Sequence, residues 1–267
     1  MFLKLVKHEA HAAARAMLTL VCGLLAMAVL ARGSIWMMEA VDTSVTNIIG
    51  VFLVGIFYLG CFAMVVTTMI LMMVRFSKSV HGDEGYLTHT LPVGVHSILL
   101  SRLLICFLAV LVSFAAVYAG IQIATLGVDS VETLGVSLKS ALNAAGVDTS
   151  AMLLKIFLMG GLSILSMILM LYAAISIGHS FANGKTGKSV LFFFILYFAQ
   201  QVISSIVMVA VLAAEYKSTG STNGIMATTD TGLTSTMFWF SVGQAAFFGG
   251  VYYFLTWITT KKRLNLA

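Results

Sequence analysis

Charge is what this chain has least of. Only 9% of its 267 residues are Asp, Glu, Lys or Arg, while 60% are hydrophobic. A water-soluble domain of this size exposes far more charge, so the composition excludes one and identifies a membrane protein. Cysteine is scarce as well. Cys22, Cys61 and Cys106 each fall inside an apolar run, where an unpaired thiol behaves as a small hydrophobe, and three scattered residues build neither a disulfide framework nor a metal site. All ten Asp and Glu residues lie outside the apolar runs or at their edges. That removes the paired carboxylates an intramembrane acid protease needs, and it speaks against proton- or ion-coupled transport, which uses titratable groups at mid-membrane. No Ser or Cys has a positioned base either, so no catalytic set is visible. Finally, no loop reaches the roughly 50 residues of an independent domain, which excludes an ATP-hydrolysing domain within this chain.

What is present is six long apolar runs, at about residues 12–31, 48–74, 98–125, 151–177, 190–214 and 237–260. Each approaches or exceeds the roughly 20 helical residues that cross a hydrocarbon core of about 30 Å. The runs are continuously apolar and do not alternate, which predicts helices rather than barrel strands. The expected fold class is therefore an all-α polytopic membrane protein of six transmembrane helices, one integral domain over residues 1–267.

Charge placement orients it. Lys4, Lys7 and Arg15 stand near the start, Lys185 and Lys188 after the fourth run, and Lys261, Lys262 and Arg263 at the end. The alternate loops carry Glu39 and Asp42, then Asp129, Glu132 and Asp148, then Glu215 and Asp230. By the positive-inside rule both termini are expected in the cytoplasm, and the net charge of +5 reflects topology rather than a nucleic-acid footprint. Ala26-Met27-Ala28 has the small-x-small look of a signal-peptide cleavage site, but the apolar stretch continues past it, so the first span is expected to be retained. Before it, Leu3, Val6, Ala10, Ala13 and Met17 share one helical face and Lys4, His8, His11 and Arg15 another. Residues 1–15 thus read as an amphipathic interfacial helix, either a simple anchor or an elbow that moves with a partner.

Two motif-like stretches carry no chemistry. His8-Glu9-Ala10-His11 places its histidines three apart, whereas a metalloprotease needs them four apart with a third ligand. Ala182 through Ser189 approximates a phosphate-binding loop, but Ala182 stands where the first Gly belongs, and a segment joining two spans has no sheet to pack on. Inside the spans Gln122, Gln200, Gln201 and Gln244 are the main polar groups, with Ser163, Ser166, Ser204 and Ser205 as lesser donors. Such groups face other helices or a water-filled cavity, so they either hold the bundle together or line a substrate pathway. Arg102 and Lys155 stand near span ends and can snorkel to the interface, so neither need be functional.

The segment His81 through Pro92 is the one acidic, Gly-flanked stretch facing the cytoplasm, within a loop of residues 75–97. Asp83 and Glu84 suit the first turn of a short helix, Tyr86, Leu87 and Leu91 offer apolar contacts, and Pro92 is a stop. A solvated connector explains the charges but not the exposed Tyr and Leu. A helix lying across the membrane face explains both, with Gly82, Asp83, Glu84, Tyr86, Leu87, Leu91 and Pro92 as partner contacts.

Taken with Phe2 through Glu9 and Ser176-Ile177-Gly178-His179, the run from Gly82 to Val93 resembles the membrane subunits of type-two ABC exporters, in particular small bacterial six-span permeases. The topology covers the whole chain; only residues 82–93 are specific. The resemblance implies a permease half in a bacterial cytoplasmic membrane that pairs with a second permease chain, identical or related. It binds no cofactor itself and has no enzymatic site. ATP and magnesium sit on a separate ABC ATPase subunit docked on the Asp83–Glu84 segment as coupling helix. Amphipathic peptides or lipid-like compounds are the expected cargo, and bulky-substrate members carry a hairpin where this chain has its loop of residues 215–236. Membrane lipid is a partner; nucleic acid is not. The alternative classes are a non-transporting scaffold or immunity protein that binds a partner, and a membrane-embedded enzyme for which no residue can be nominated.

Overall fold

The structure, a computed structural model, describes residues 2–41, 43–81, 94–126, 149–181, 184–219 and 232–262. Among them are six helices and no strand: α1 (Phe2–Ala40), α2 (Ser44–His81), α3 (Val95–Ala124), α4 (Thr149–His179), α5 (Lys185–Thr219) and α6 (Gly232–Lys262). Unbroken apolar sequence makes this the only economical solution, since a helix closes every backbone hydrogen bond within its own segment. Five helices are long and apolar enough to cross a membrane, over Glu9–Ala40, Ser44–Val80, Val95–Ala124, Leu153–His179 and Lys185–Val211. Large apolar side chains such as Phe52, Leu59, Phe62, Phe157 and Phe198 stand fully outward, an exterior suited to lipid rather than water. The chain is a helical multi-pass membrane protein.

The helices outrun the apolar runs. At 1.5 Å per residue the 39 residues of α1 extend about 58 Å, nearly twice a hydrocarbon core. No break separates residues 2–15 from the first span; along this stretch Ala13 and Met17 are buried while Lys7, His11 and Arg15 are exposed. The turn into α2 is closed by Thr46, whose hydroxyl donates to the carbonyl of Val41 at 2.6 Å and accepts from the Thr43 amide at 3.2 Å.

The chain divides into two compact units, Met1–Phe76 with Leu91–Glu132, and Ser77–Thr90 with Thr133–Ala267. In the first, α1 packs closely along α3. Its core joins Leu24, Ala28 and Ala31 of α1 to Phe57, Cys61 and Met64 of α2 and Ala116 and Ala124 of α3. Gly120 of α3 faces the Phe57 ring and Ala28: a Cβ there would make ordinary contacts, 3.5 Å from the ring and 3.7 Å from the Ala28 methyl. Lipid is as apolar as leucine, so such close packing and interhelical hydrogen bonds, rather than exclusion of water, hold these helices together. One such bond joins the hydroxyls of Thr68 and Ser113 at 2.8 Å, both fully buried.

In the second unit α4 packs against both α5 and α6, which barely touch each other. From Ile168 to Ser176 every residue of α4 is buried, as expected of a helix apolar all round at the centre of its neighbours. The spacing between α4 and α5 is set at Gly178, where a Cβ would come within 2.6 Å of the Ser189 Cα and amide nitrogen.

Candidate functional site

The arrangement of α4, α5 and α6 leaves a cleft. Because α5 and α6 flank α4 with their backbones mostly apart, a space of about 330 Å³ remains, lined by Ser163, Ser166, Met167 and Met170 of α4, Phe193, Tyr197 and Gln200 of α5, and Ser241, Gln244 and Ala245 of α6. These residues recur at three- and four-residue intervals on each helix, so each helix contributes one face. Among the described residues no charged side chain lines the cleft. Its polarity comes from hydroxyls and amides near the middle of apolar helices.

Hydrogen bonds fix both amides. The Tyr252 hydroxyl donates to Gln200 Oε1 at 2.8 Å, and Gln244 Nε2 donates to the Ser204 hydroxyl at 2.6 Å. The first occupies the carbonyl oxygen of Gln200, the second the amide nitrogen of Gln244. The opposite ends, a donor on Gln200 and an acceptor on Gln244, complete the set of polar groups along the cleft. Of the four glutamines singled out in the sequence, the fold brings these two together. Gln201 stands on the exposed face of α5, and Gln122 is exposed near the end of α3 in the other unit. Tyr197, Ser241 and Tyr252 were not singled out. The signal that finds them is helical register with Gln200 and Gln244, not residue type alone.

A second cluster gathers charge at one end of the first unit. Glu9 of α1 reaches Arg102 of α3 through Oε1 at 3.2 Å and Arg75 of α2 through Oε2 at 3.7 Å. For Arg102 the structure supplies a partner that its place near a span end does not reveal. Its side chain is only 6% exposed, and instead of snorkelling it lies inside the unit against the Glu9 carboxylate, a partner invisible at that sequence distance. Glu9, read only as part of a failed metal motif, proves to be the carboxylate that ties three helices. Lys155, by contrast, is exposed.

The second unit has its own tie near the end of α2. His179 Nδ1 donates to the Ile175 carbonyl at 2.9 Å, so in the neutral ring Nε2 accepts from the Ser77 hydroxyl at 3.1 Å. His179 and Gly178 belong to the Ser176-Ile177-Gly178-His179 run: one residue joins α4 to the end of α2, the other sets its approach to α5. Of the phosphate-loop-like stretch, the part from Lys185 on is the first turn of α5. Gly184 takes a left-handed φ of 67°, Lys188 Nζ lies 4.5 Å from the centre of the Phe181 ring, and the Ser189 hydroxyl donates to the Lys185 carbonyl.

Gly82, Asp83, Glu84, Tyr86, Leu87, Leu91 and Pro92 lie outside the described residues, as do residues 220–231 of the loop before α6. No protein-family model, no curated protein and no solved structure matches this chain.

Proposed function

We propose that this chain is the permease half of an ATP-driven exporter in a bacterial cytoplasmic membrane, moving an amphipathic peptide or lipid-like substrate. The observation that carries the reading is the uncharged polar cleft among α4, α5 and α6. Polar groups at mid-height of apolar helices are costly unless they bond within the protein or line a path for cargo, and only half of each amide is used in the bonds of Gln200 and Gln244. A cleft of amides, hydroxyls, Tyr, Phe and Met suits a cargo that is part peptide-like and part apolar. In this reading α6 also crosses the membrane, both termini are cytoplasmic, residues 1–15 are the connector helix, and two permease chains pair. A separate ABC ATPase, carrying ATP and magnesium, docks on Gly82, Asp83, Glu84, Tyr86, Leu87, Leu91 and Pro92. Closure of the ATPase pair would then switch the permease between inward- and outward-open states.

A non-transporting scaffold or immunity protein is the second reading. It is favoured by the same two hydrogen bonds if their role is to hold helices rather than to shape a path. Purification from native membrane in mild detergent separates the two. The exporter reading expects a soluble ATPase to copurify in fixed proportion, with hydrolysis lost or uncoupled in an Asp83→Ala, Glu84→Ala double variant. A preparation with no ATPase companion favours the scaffold.

A further inference from the structure

The first unit carries a second cleft of different chemistry. About 360 Å³ of space lies between α1 and α3, lined among the described residues by apolar side chains, with the small Ala10, Ala13 and Ala14 on α1. Leu18 on α1 and Leu108 and Val112 on α3 are among its linings and are exposed, so it opens on the exterior. On α1 the lining runs from Ala10 to Val21, about 16 Å along the axis.

Charge is concentrated at only one end of this groove. Lys7 and Arg15, both exposed, stand on the flank of α1 adjoining Ala14 and Leu18, with His11 between them at helical spacing. Arg102 lies one turn of α3 before Ile105, a lining residue, and Arg75 joins it through Glu9. Among the described residues, four basic side chains and one carboxylate thus stand beside the N-terminal half of the groove, while on its far half, toward Val21 and Val112, the lining is apolar.

We propose that this groove is a binding site for an anionic membrane phospholipid, with one acyl chain along α1 and α3 and the phosphate at the Lys7, His11 and Arg15 flank. A chain-shaped apolar slot ending in a basic rim matches that amphiphile. Basic pockets at the membrane–water boundary attract anionic headgroups by about 1 kcal/mol per Lys or Arg. A second copy of this chain on the same face would bring two such basic rims together, which the charges oppose. The site does not depend on the transport reading: a scaffold with this groove would bind the same lipid.

Native mass spectrometry of the detergent-purified chain tests it, with phosphatidylglycerol and phosphatidylcholine of identical acyl chains as probes. The expected result is preferential retention of phosphatidylglycerol. Lys7→Gln with Arg15→Gln should erase most of the preference, about fivefold for each charge removed. Ala14→Trp, which fills an exposed slot without entering the core, should reduce retention of both lipids. Equal retention of the two lipids by the wild type would overturn the proposal, as would an Ala14→Trp variant that binds them undiminished. Displacement of the lipid by millimolar inorganic phosphate alone would also overturn it, because the acyl chain would then contribute nothing. The charge variant leaves the groove untouched, so the proposal remains testable if the tryptophan variant misfolds.

Discussion

Glu9 is a single carboxylate shared by two arginines, and the two contacts are unequal. The Arg102 contact is shorter, and that guanidinium is almost wholly buried; the Arg75 contact is 3.7 Å and its side chain is 31% exposed. An exposed, long pair contributes about 0–1 kcal/mol, whereas removing the counter-charge of a buried group costs considerably more. Replacement of Glu9 by Gln is therefore expected to lower the apparent melting temperature in detergent clearly more than Arg75→Gln does. In a double-mutant cycle, Glu9→Gln with Arg102→Gln should lose less than the sum of the single losses, with a coupling of about 0.5–3 kcal/mol. Strict additivity would show that the contact contributes nothing. The same carboxylate also lowers the net charge at the mouth of the α1–α3 groove, so Glu9→Gln should retain phosphatidylglycerol at least as well as the wild type even while it is less stable.

At the scale of helices, stability turns on how closely α4 can approach α5. A Cβ at Gly178 would meet the Ser189 hydroxyl and also the Ser189 Cα and amide nitrogen, each at 2.6 Å, and the backbone atoms cannot swing aside as a hydroxyl can. Gly178→Ala is expected to force the two helices apart and cost about 1–3 kcal/mol, as overpacking does, and Ser189→Gly should fail to rescue it because the obstructing Cα and amide nitrogen remain. Gly249→Ala on α6 is the control: its nearest neighbour would be a Leu169 methyl at an ordinary 3.7 Å, so the melting temperature should hardly change. A full rescue by Ser189→Gly would place the obstruction in the hydroxyl and refute this account.

These helices were readable from hydropathy, but their ends were not. The first run was placed at residues 12–31, yet α1 extends over Phe2–Ala40, because helical hydrogen bonding continues through Lys7, Glu9 and Arg15 and on to Glu39, well past the apolar stretch. Hydropathy reports where lipid is a good solvent, not where a helix stops. Residue type alone likewise chose four glutamines of which two meet, since partition between faces depends on which helices become neighbours. The partner of Arg102 is hidden for the same reason: nothing local to α3 reveals that Glu9 folds against it.

For the whole molecule, the decisive question is whether the cleft among α4, α5 and α6 is wet. A cleft used for cargo must admit water at some stage of the cycle, whereas hydroxyls and amides serving only to join helices need not. Thiol chemistry discriminates, because the thiolate is the reactive form and it exists only where water solvates it. With Cys22, Cys61 and Cys106 first replaced by Ala, single Ser163→Cys and Ser241→Cys variants in sealed membrane vesicles are expected to react with a small membrane-impermeant maleimide. Phe198→Cys, on the outward face of α5 a few residues from Gln200, should not react, since lipid surrounds it. Protection of both cleft cysteines by an excess of an amphipathic peptide would connect wetting to cargo. Silence at all three positions would mean that the glutamines and serines are mortar between helices, and the transport reading would lose the observation it rests on.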